Sequence, residues 1–332
     1  MRVHHTASFL AAAALACASH RPPGEHEPGG GSIVGHVWSV HDRRWVDEPA
    51  LEAALPRADL VLLGETHDNP AHHRLQARLL AAIVAAGRRP AVAFEMLDPE
   101  QQPAVDAAVA RAPRDPDALA TAVGWERSGW PAFSLYRPIF QVALDAGLPI
   151  VAANLTRRLA REVAVHGEGA LAPDVRRMLD RQGPLPEDVA RAYRQEMQDS
   201  HCGALPEDML DAMVTMQRAR DAQIAERLLA AGAARGAVLI AGSGHARTDR
   251  GVPVFLAREA PSRKTLSVAF LEASPRKQTP DDYAQDFGTA SLPFDYVVFT
   301  QAAPREDPCR GIREHIHPLP KAPLPGSTSA RR

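Results

Sequence analysis

The sequence is poor in the features that would staple, charge or mark it. Its 332 residues hold three cysteines, and none stands in a Cys-x-x-Cys or Cys-x-x-Cys-His arrangement, which excludes a thiol pair of that type and covalent haem attachment through it. The formal net charge is −2. That balance argues against a broad nucleic-acid-binding face, and no nucleic-acid partner is expected. There is no His-Glu-x-x-His helix and no glycine-rich phosphate loop. "GSGHAR", residues 242 to 247, is not a serine elbow, because that turn needs Gly-x-Ser-x-Gly. Tyrosine is scarce as well, with Tyr136, Tyr193, Tyr283 and Tyr296 making up all four.

What the chain does have is apolar material. Forty-five per cent of its residues are hydrophobic, enough to bury a sizeable core in one large domain. The N-terminus departs from the average. Arg2 and two histidines precede an apolar stretch from Ala7 to Ala16, which is too short to span a bilayer and reads as the hydrophobic centre of an export signal. Cys17 follows the small Ala16 and resembles a bacterial lipoprotein cleavage site, although Leu15 stands second before the cysteine and not third. Residues 1–17 are therefore expected to direct export, with lipidation at Cys17, a membrane partner through that anchor, and a periplasmic or outer-membrane location. A protein cut nearby and left free in the periplasm is the alternative. Residues 18–32, including "RPPGEHEPGGGS", form a flexible tether, and residues 311–332 form a disordered tail. With Cys17 set aside, Cys202 and Cys309 remain as an even pair, joined as a disulfide in an oxidising compartment or left as two buried thiols.

Short continuous apolar runs recur between helical patterns: "LVLLG" (60–64), "AVAFE" (91–95), "PIVAAN" (149–154) and "AVLIAG" (237–242), then "LSVAFL" (266–271) and "YVVFT" (296–300). Such runs indicate an α/β fold with a mostly parallel central sheet flanked by helices. Asp68 or Asn69 can cap the first marked helix, Pro70 suits its first turn, and Gly87 ends it. Residues 97–147 hold further helix, broken at "RAPRDP" and "WERSGWPAF". Residues 157–234 lack a strand and read as a helical insertion whose last helix starts near Pro206. One face of that helix, at Met213, Met216, Arg220, Ile224 and Leu228, is apolar except for Arg220. A guanidinium there needs a partner, either a buried carboxylate or a bound ligand. Asp221 lies about 100° round the helix from it.

Each of the four core strands ends in polar residues. The first ends in Gly64-Glu65-Thr66-His67, the second in Glu95, the third in Asn154, and the fourth in Gly242-Ser243-Gly244-His245 with Arg247 behind. Ligands of open parallel sheets bind outside the carboxyl ends of the strands, so two carboxylates, an amide and two histidines are expected at one rim. The repeated Gly-x-x-His is the strongest signal, with glycine permitting a sharp strand exit. Glu65, His67, Glu95 and His245 are the candidate catalytic residues. His72 and His73 follow Pro70 close to the rim and are read as edge-of-core residues, with a role as ligands the alternative.

"LLGETHDNPAHH", "AFEM", "GLPIVAANLTR", "HCGALPEDMLDAMVTMQRARD" and "AGSGHARTDRGVP" together resemble the ChaN-like family of haem-binding uptake lipoproteins in the Tiki superfamily, over about residues 33–310. The resemblance implies a helical cap, about 157–234, over the C-terminal strand ends. It implies haem as cofactor, an exported protein in iron acquisition, tyrosine ligation of iron, and a homodimer pairing two haems. Tyr193, supported by His201, is the tyrosine in the cap, and Asn154, Arg220 and Arg247 are the other candidate haem contacts. Distant relatives in that superfamily include metal-dependent peptidases and erythromycin-esterase-like hydrolases. A second reading is therefore a hydrolase in which His67, His245 and Glu65 hold a divalent ion such as Mn, Co or Zn, with Glu95 as general base.

Overall fold

The structure, a computed structural model, describes residues 32–306 and Cys309. The expected export signal with Cys17, all but the last residue of the tether, and the 311–332 tail lie outside the described residues. Eight strands form one sheet: β1 (Val37–Ser39), β2 (Arg44–Val46), β3 (Leu60–Glu65), β4 (Ala91–Phe94), β5 (Ile150–Ala152), β6 (Ala237–Gly242), β7 (Thr265–Glu272) and β8 (Tyr296–Thr300). Their order is β2-β1-β8-β7-β3-β6-β4-β5. From β8 to β5 every neighbouring pair is parallel, as the continuous apolar runs require. β1 and β2 form an antiparallel edge hairpin, with β1 paired antiparallel to β8. Neither was expected, because three residues each, with Arg44 and Trp45 in β2, carry no usable period.

Alternate residues of each strand feed separate cores. In β3, Val61 and Leu63 face the helices of the N-terminal half, whereas Leu60 and Leu62 face the insertion. That double burial explains why no polar residue interrupts the strand until Glu65. On the first face the Pro70–Ala85 helix packs against the Phe133–Asp145 helix. Asn69 caps the former, its Oδ1 accepting from Ala71 N at 2.8 Å, and Gly87 follows the helix with φ +84°, a left-handed conformation that glycine adopts without strain. The insertion is helical throughout, in the Arg157–His166, Pro173–Gln182, Glu187–Ser200 and Glu207–Gly232 helices. The last of these crosses the sheet and brings its N-terminal half over the strand ends as a cap. Cys202, at the tip of the cap, is disulfide-bonded to Cys309. Among the described residues no helix is long and apolar enough to cross a membrane.

Candidate functional site

The parallel register delivers the site. β3 pairs with β6 so that Glu65 lies beside Gly242, and β4 pairs with β6 so that Phe94, the residue before Glu95, lies beside Ile240. Glu65, Glu95 and the residues after Gly242 therefore leave the sheet at one rim. His245 rides the single helical turn Ser243–Ala246 directly after β6. The two Gly-x-x-His glycines are explained by close approach and not by a left-handed exit. A Cβ on Gly64 would stand 2.9 Å from Ser243 Cα and from Ala246 Cβ, and one on Gly242 would stand 2.9 Å from His67 Nε2. Each glycine lies against the other motif.

Glu65 is surrounded by Tyr136, His67 and His73. Its Oε1 accepts from the Tyr136 hydroxyl at 2.9 Å and from His67 Nδ1 at 2.9 Å. Its Oε2 faces His73 Nδ1 at 2.9 Å, and His73 Nε2 donates to the His67 carbonyl at 2.9 Å. A carbonyl can only accept, so His73 Nε2 carries a proton. Burial pushes the Glu65 carboxyl up, but His67 and His73 outweigh it and hold it below its ordinary value. His67 is itself pushed up, burial being outweighed by the Glu95 charge and the bond to Glu65.

Glu95 occupies the centre of the rim. Its Oε2 accepts from Gly242 N at 2.8 Å and lies 3.8 Å from His67 Nε2, while its Oε1 is 3.2 Å from His245 Nε2. His245 Nδ1 in turn lies 2.6 Å from Asp221 Oδ1. His245 is pushed up to about 10, because the two carboxylates beside it outweigh burial. Burial alone would raise the Glu95 carboxyl, but His245 and His67 hold it well below the usual carboxylate range. His245 is thus an imidazolium clamped between two carboxylates. Acid and base alternate along the rim from Glu65 through His67, Glu95 and His245 to Asp221.

A cleft of about 340 Å³ opens beside this array, lined by Met96, Trp130, Asn154, Leu155, Arg157 and Arg220 among others, a volume typical of small-ligand sites. Trp130 meets His67 edge to face with ring centroids 4.9 Å apart. Arg220 and Asn154 both line the cleft. The Arg220 Nε is buried with no hydrogen-bond partner among the described residues, so the pairing with a buried carboxylate is absent and Asp221 serves His245 instead.

The other expected contacts are placed elsewhere. Arg247 is 1 % exposed and fully engaged, donating to Asp249 at 2.9 and 2.6 Å, Glu196 at 2.8 Å and the Phe287 carbonyl at 2.9 Å. Tyr193 is buried beneath the Arg250 guanidinium, 4.4 Å from its ring, and burial pushes its phenol up. His201 caps the end of the Glu187–Ser200 helix, with Nδ1 donating to Met197 O at 2.8 Å. None of these three lines the cleft. His72 is a core residue as expected, with Nδ1 accepting from Thr66 N at 2.8 Å and Nε2 2.8 Å from Thr300 Oγ1. Burial pulls it down to about 4, so it is neutral.

The divalent-ion set of His67, His245 and Glu65 requires correction. Among the described residues no three His, Cys, Asp or Glu side chains are placed to hold an ion, since the donor atoms here are turned onto one another. Two partners of Glu65 are not assigned to the rim from the sequence. Tyr136 lies on the Phe133–Asp145 helix, where its ring continues the apolar stripe of Phe133 and Phe140 and gives no separate signal. His73 reads from the sequence as an edge-of-core residue, since its contact with Glu65 depends on the path of the His67 loop.

A family model described as haem-binding uptake, Tiki superfamily, ChaN matches residues 51–256. Among solved structures, ChaN of Campylobacter jejuni, described as binding haem cofacially, is 22% identical with a TM-score of 0.62, covering 79% of this chain and 95% of that one. The erythromycin esterase EreC in its open conformation is 15% identical with a TM-score of 0.44, covering 80% and 96%. No curated protein matches the chain.

Proposed function

This chain belongs to the ChaN family of the Tiki superfamily, and from that premise we propose that it binds haem in the cleft between cap and strand ends. The observation that carries this reading is the cleft itself. Trp130 offers an aromatic surface to a flat ring system at a wall that is otherwise polar and positively charged, with the unpartnered Arg220 at its edge. Haem, when bound, supplies iron chemistry, and the residues of the chain supply shape, apolar contact and charge. Titration of the purified protein with hemin tests it. A saturable Soret shift that Trp130→Ala weakens at least tenfold is expected, and the absence of saturation in the wild type refutes the reading.

Export and lipid anchoring at Cys17 complete the proposal, as an uptake protein held at a membrane. The Cys202–Cys309 disulfide supports an oxidising compartment. Mass spectrometry of the membrane-bound protein should find an acylated Cys17 at the mature N-terminus, and an unmodified N-terminus upstream of it contradicts this.

A second reading, hydrolysis of an ester or amide, is favoured by one observation. His67 is the exposed member of the charge array, with 33% of its side chain open. With His67 Nδ1 on Glu65, its Nε2 can take a proton from water as that water attacks a carbonyl and return it to the leaving group. The Glu95 charge stabilises the imidazolium formed. Turnover of an ester panel that His67→Ala abolishes supports this reading, and turnover unaffected by His67→Ala ends it.

A further inference from the structure

Arg220 poses a problem that haem binding in general does not solve. A half-buried guanidinium on an otherwise apolar helix face has five N–H donors, yet no hydrogen bond or ion pair to it is formed among the described residues, and its Nε is sealed from water. Leaving such a group unsatisfied is costly. The surroundings do not offset it. Asp98 lines the same cleft and feels the charges of Arg157 and Arg220, but it stands beyond ion-pair distance of both. Arg157 donates to the Ser128 carbonyl, and Arg127 adds a third guanidinium to the wall. Three cations and one carboxylate leave the cleft with a positive excess. Among the described residues no tyrosine, histidine or cysteine lines it, so the described wall offers guanidiniums for an anion and no imidazole, phenolate or thiolate for iron.

We propose that this cleft holds its ligand by carboxylate groups, through Arg220, and not through the metal, so that it takes iron-free porphyrin diacids as readily as haem. The inference rests on the haem reading above and specifies what that site recognises. Arg220 is the anchor because its hydrogen-bonding capacity is unspent. Arg157 and Arg127 contribute charge from the exposed wall. Trp130 stacks or abuts the ring system. A bidentate guanidinium–carboxylate pair in a partly desolvated cleft is a strong and directional contact.

The test titrates wild type and Arg220→Met with hemin, protoporphyrin IX and protoporphyrin IX dimethyl ester, following absorbance and porphyrin fluorescence. The expected result is comparable wild-type affinity for hemin and protoporphyrin IX and about tenfold weaker binding of the ester. Arg220→Met should weaken the diacid about tenfold and leave the ester unchanged, because variant and ester delete the same contact. Arg220→Lys should recover part of the loss. The melting temperature should not fall in Arg220→Met, since the side chain has no partner to lose. Wild type that binds hemin but not protoporphyrin IX, or binds ester and diacid alike, overturns this inference and leaves the haem reading standing. Wild type that binds none of the three overturns the haem reading itself.

Discussion

Asp221 Oδ1 stands 2.6 Å from His245 Nδ1, so a cap carboxylate is committed to a strand-end imidazole and not to Arg220 beside it in the chain. That single contact ties the cap to the rim electrostatically. It also frees Arg220 to face the cleft, and it places His245 between two buried carboxyl groups.

A pH dependence of stability follows. His245 has an ordinary value of 6.5 and is raised to about 10 in the folded protein. A raised value means that the folded state holds its proton more tightly than the unfolded state does. The stabilisation is complete below pH 6.5, declines as pH rises through the window, and is lost above about pH 10. Glu95 is shifted the other way, so its contribution is constant across that window. The melting temperature of wild type should fall steadily between pH 6.5 and 10. His245→Gln should start lower and fall less steeply. Parallel slopes for the two proteins would contradict the clamped imidazolium.

Tyr136→Phe removes one donor from a buried carboxylate and one polar neighbour from the His67 ring. Glu65 keeps His67 and His73, so the fold should survive, at a cost of about 1–3 kcal/mol in urea-induced unfolding. The His67 ring loses a neighbour 3.4 Å from its Nδ1, so its NMR-detected titration should shift upward as Glu65 becomes a stronger acceptor for it. An unchanged His67 titration would mean that the hydroxyl does not act on the pair.

Gly242→Ala separates the site from the fold. The backbone there is ordinary, with φ −60°, so alanine is conformationally acceptable. Its Cβ would stand 2.9 Å from His67 Nε2 and 3.6 Å from Glu95 Oε2, and the side chain able to yield is the His67 imidazole. The variant should melt near the wild type yet lose any activity that depends on His67. Loss of folding, with the His67→Ala variant still folded, would show that the glycine serves the sheet and not the ring.

The parallel sheet and the rim were legible because burial on both faces leaves unbroken apolar runs, and each run ends where water or a ligand begins. Glu65, His67, Glu95 and His245 stood out by that contrast. Tyr136, His73 and Asp221 did not, since their partners lie in other segments and their own neighbours are ordinary helix. The same limit applies to Arg247. Following Gly242-Ser243-Gly244-His245 it looks like part of the rim, but one turn of helix and an extended residue, with ψ 132° at Arg247, carry it round to Glu196 and Asp249. The β1–β2 hairpin was hidden for a different reason: three-residue strands are too short to show a period at all.

Arg247 therefore gives the sharpest contrast with Arg220. Its guanidinium is 1 % exposed, bonded to Asp249, Glu196 and the Phe287 carbonyl, and its Cζ stands 5.1 Å from the Phe287 ring centroid. Arg247→Met leaves Asp249 and Glu196 without their shared cation, although Arg250 still pairs with Glu196. The carboxylates left behind are each 31% exposed, so the loss of these charged hydrogen bonds costs about 1–3 kcal/mol. The two arginines, 27 residues apart in sequence numbering (247 less 220), should thus behave oppositely. Arg247→Met should melt below wild type while the part that remains folded binds hemin with unchanged affinity. Arg220→Met should melt with wild type and bind weakly. Calorimetry and hemin titration on the same two preparations decide the matter, and an Arg247→Met protein that is stable but binds poorly would move that side chain back into the ligand site.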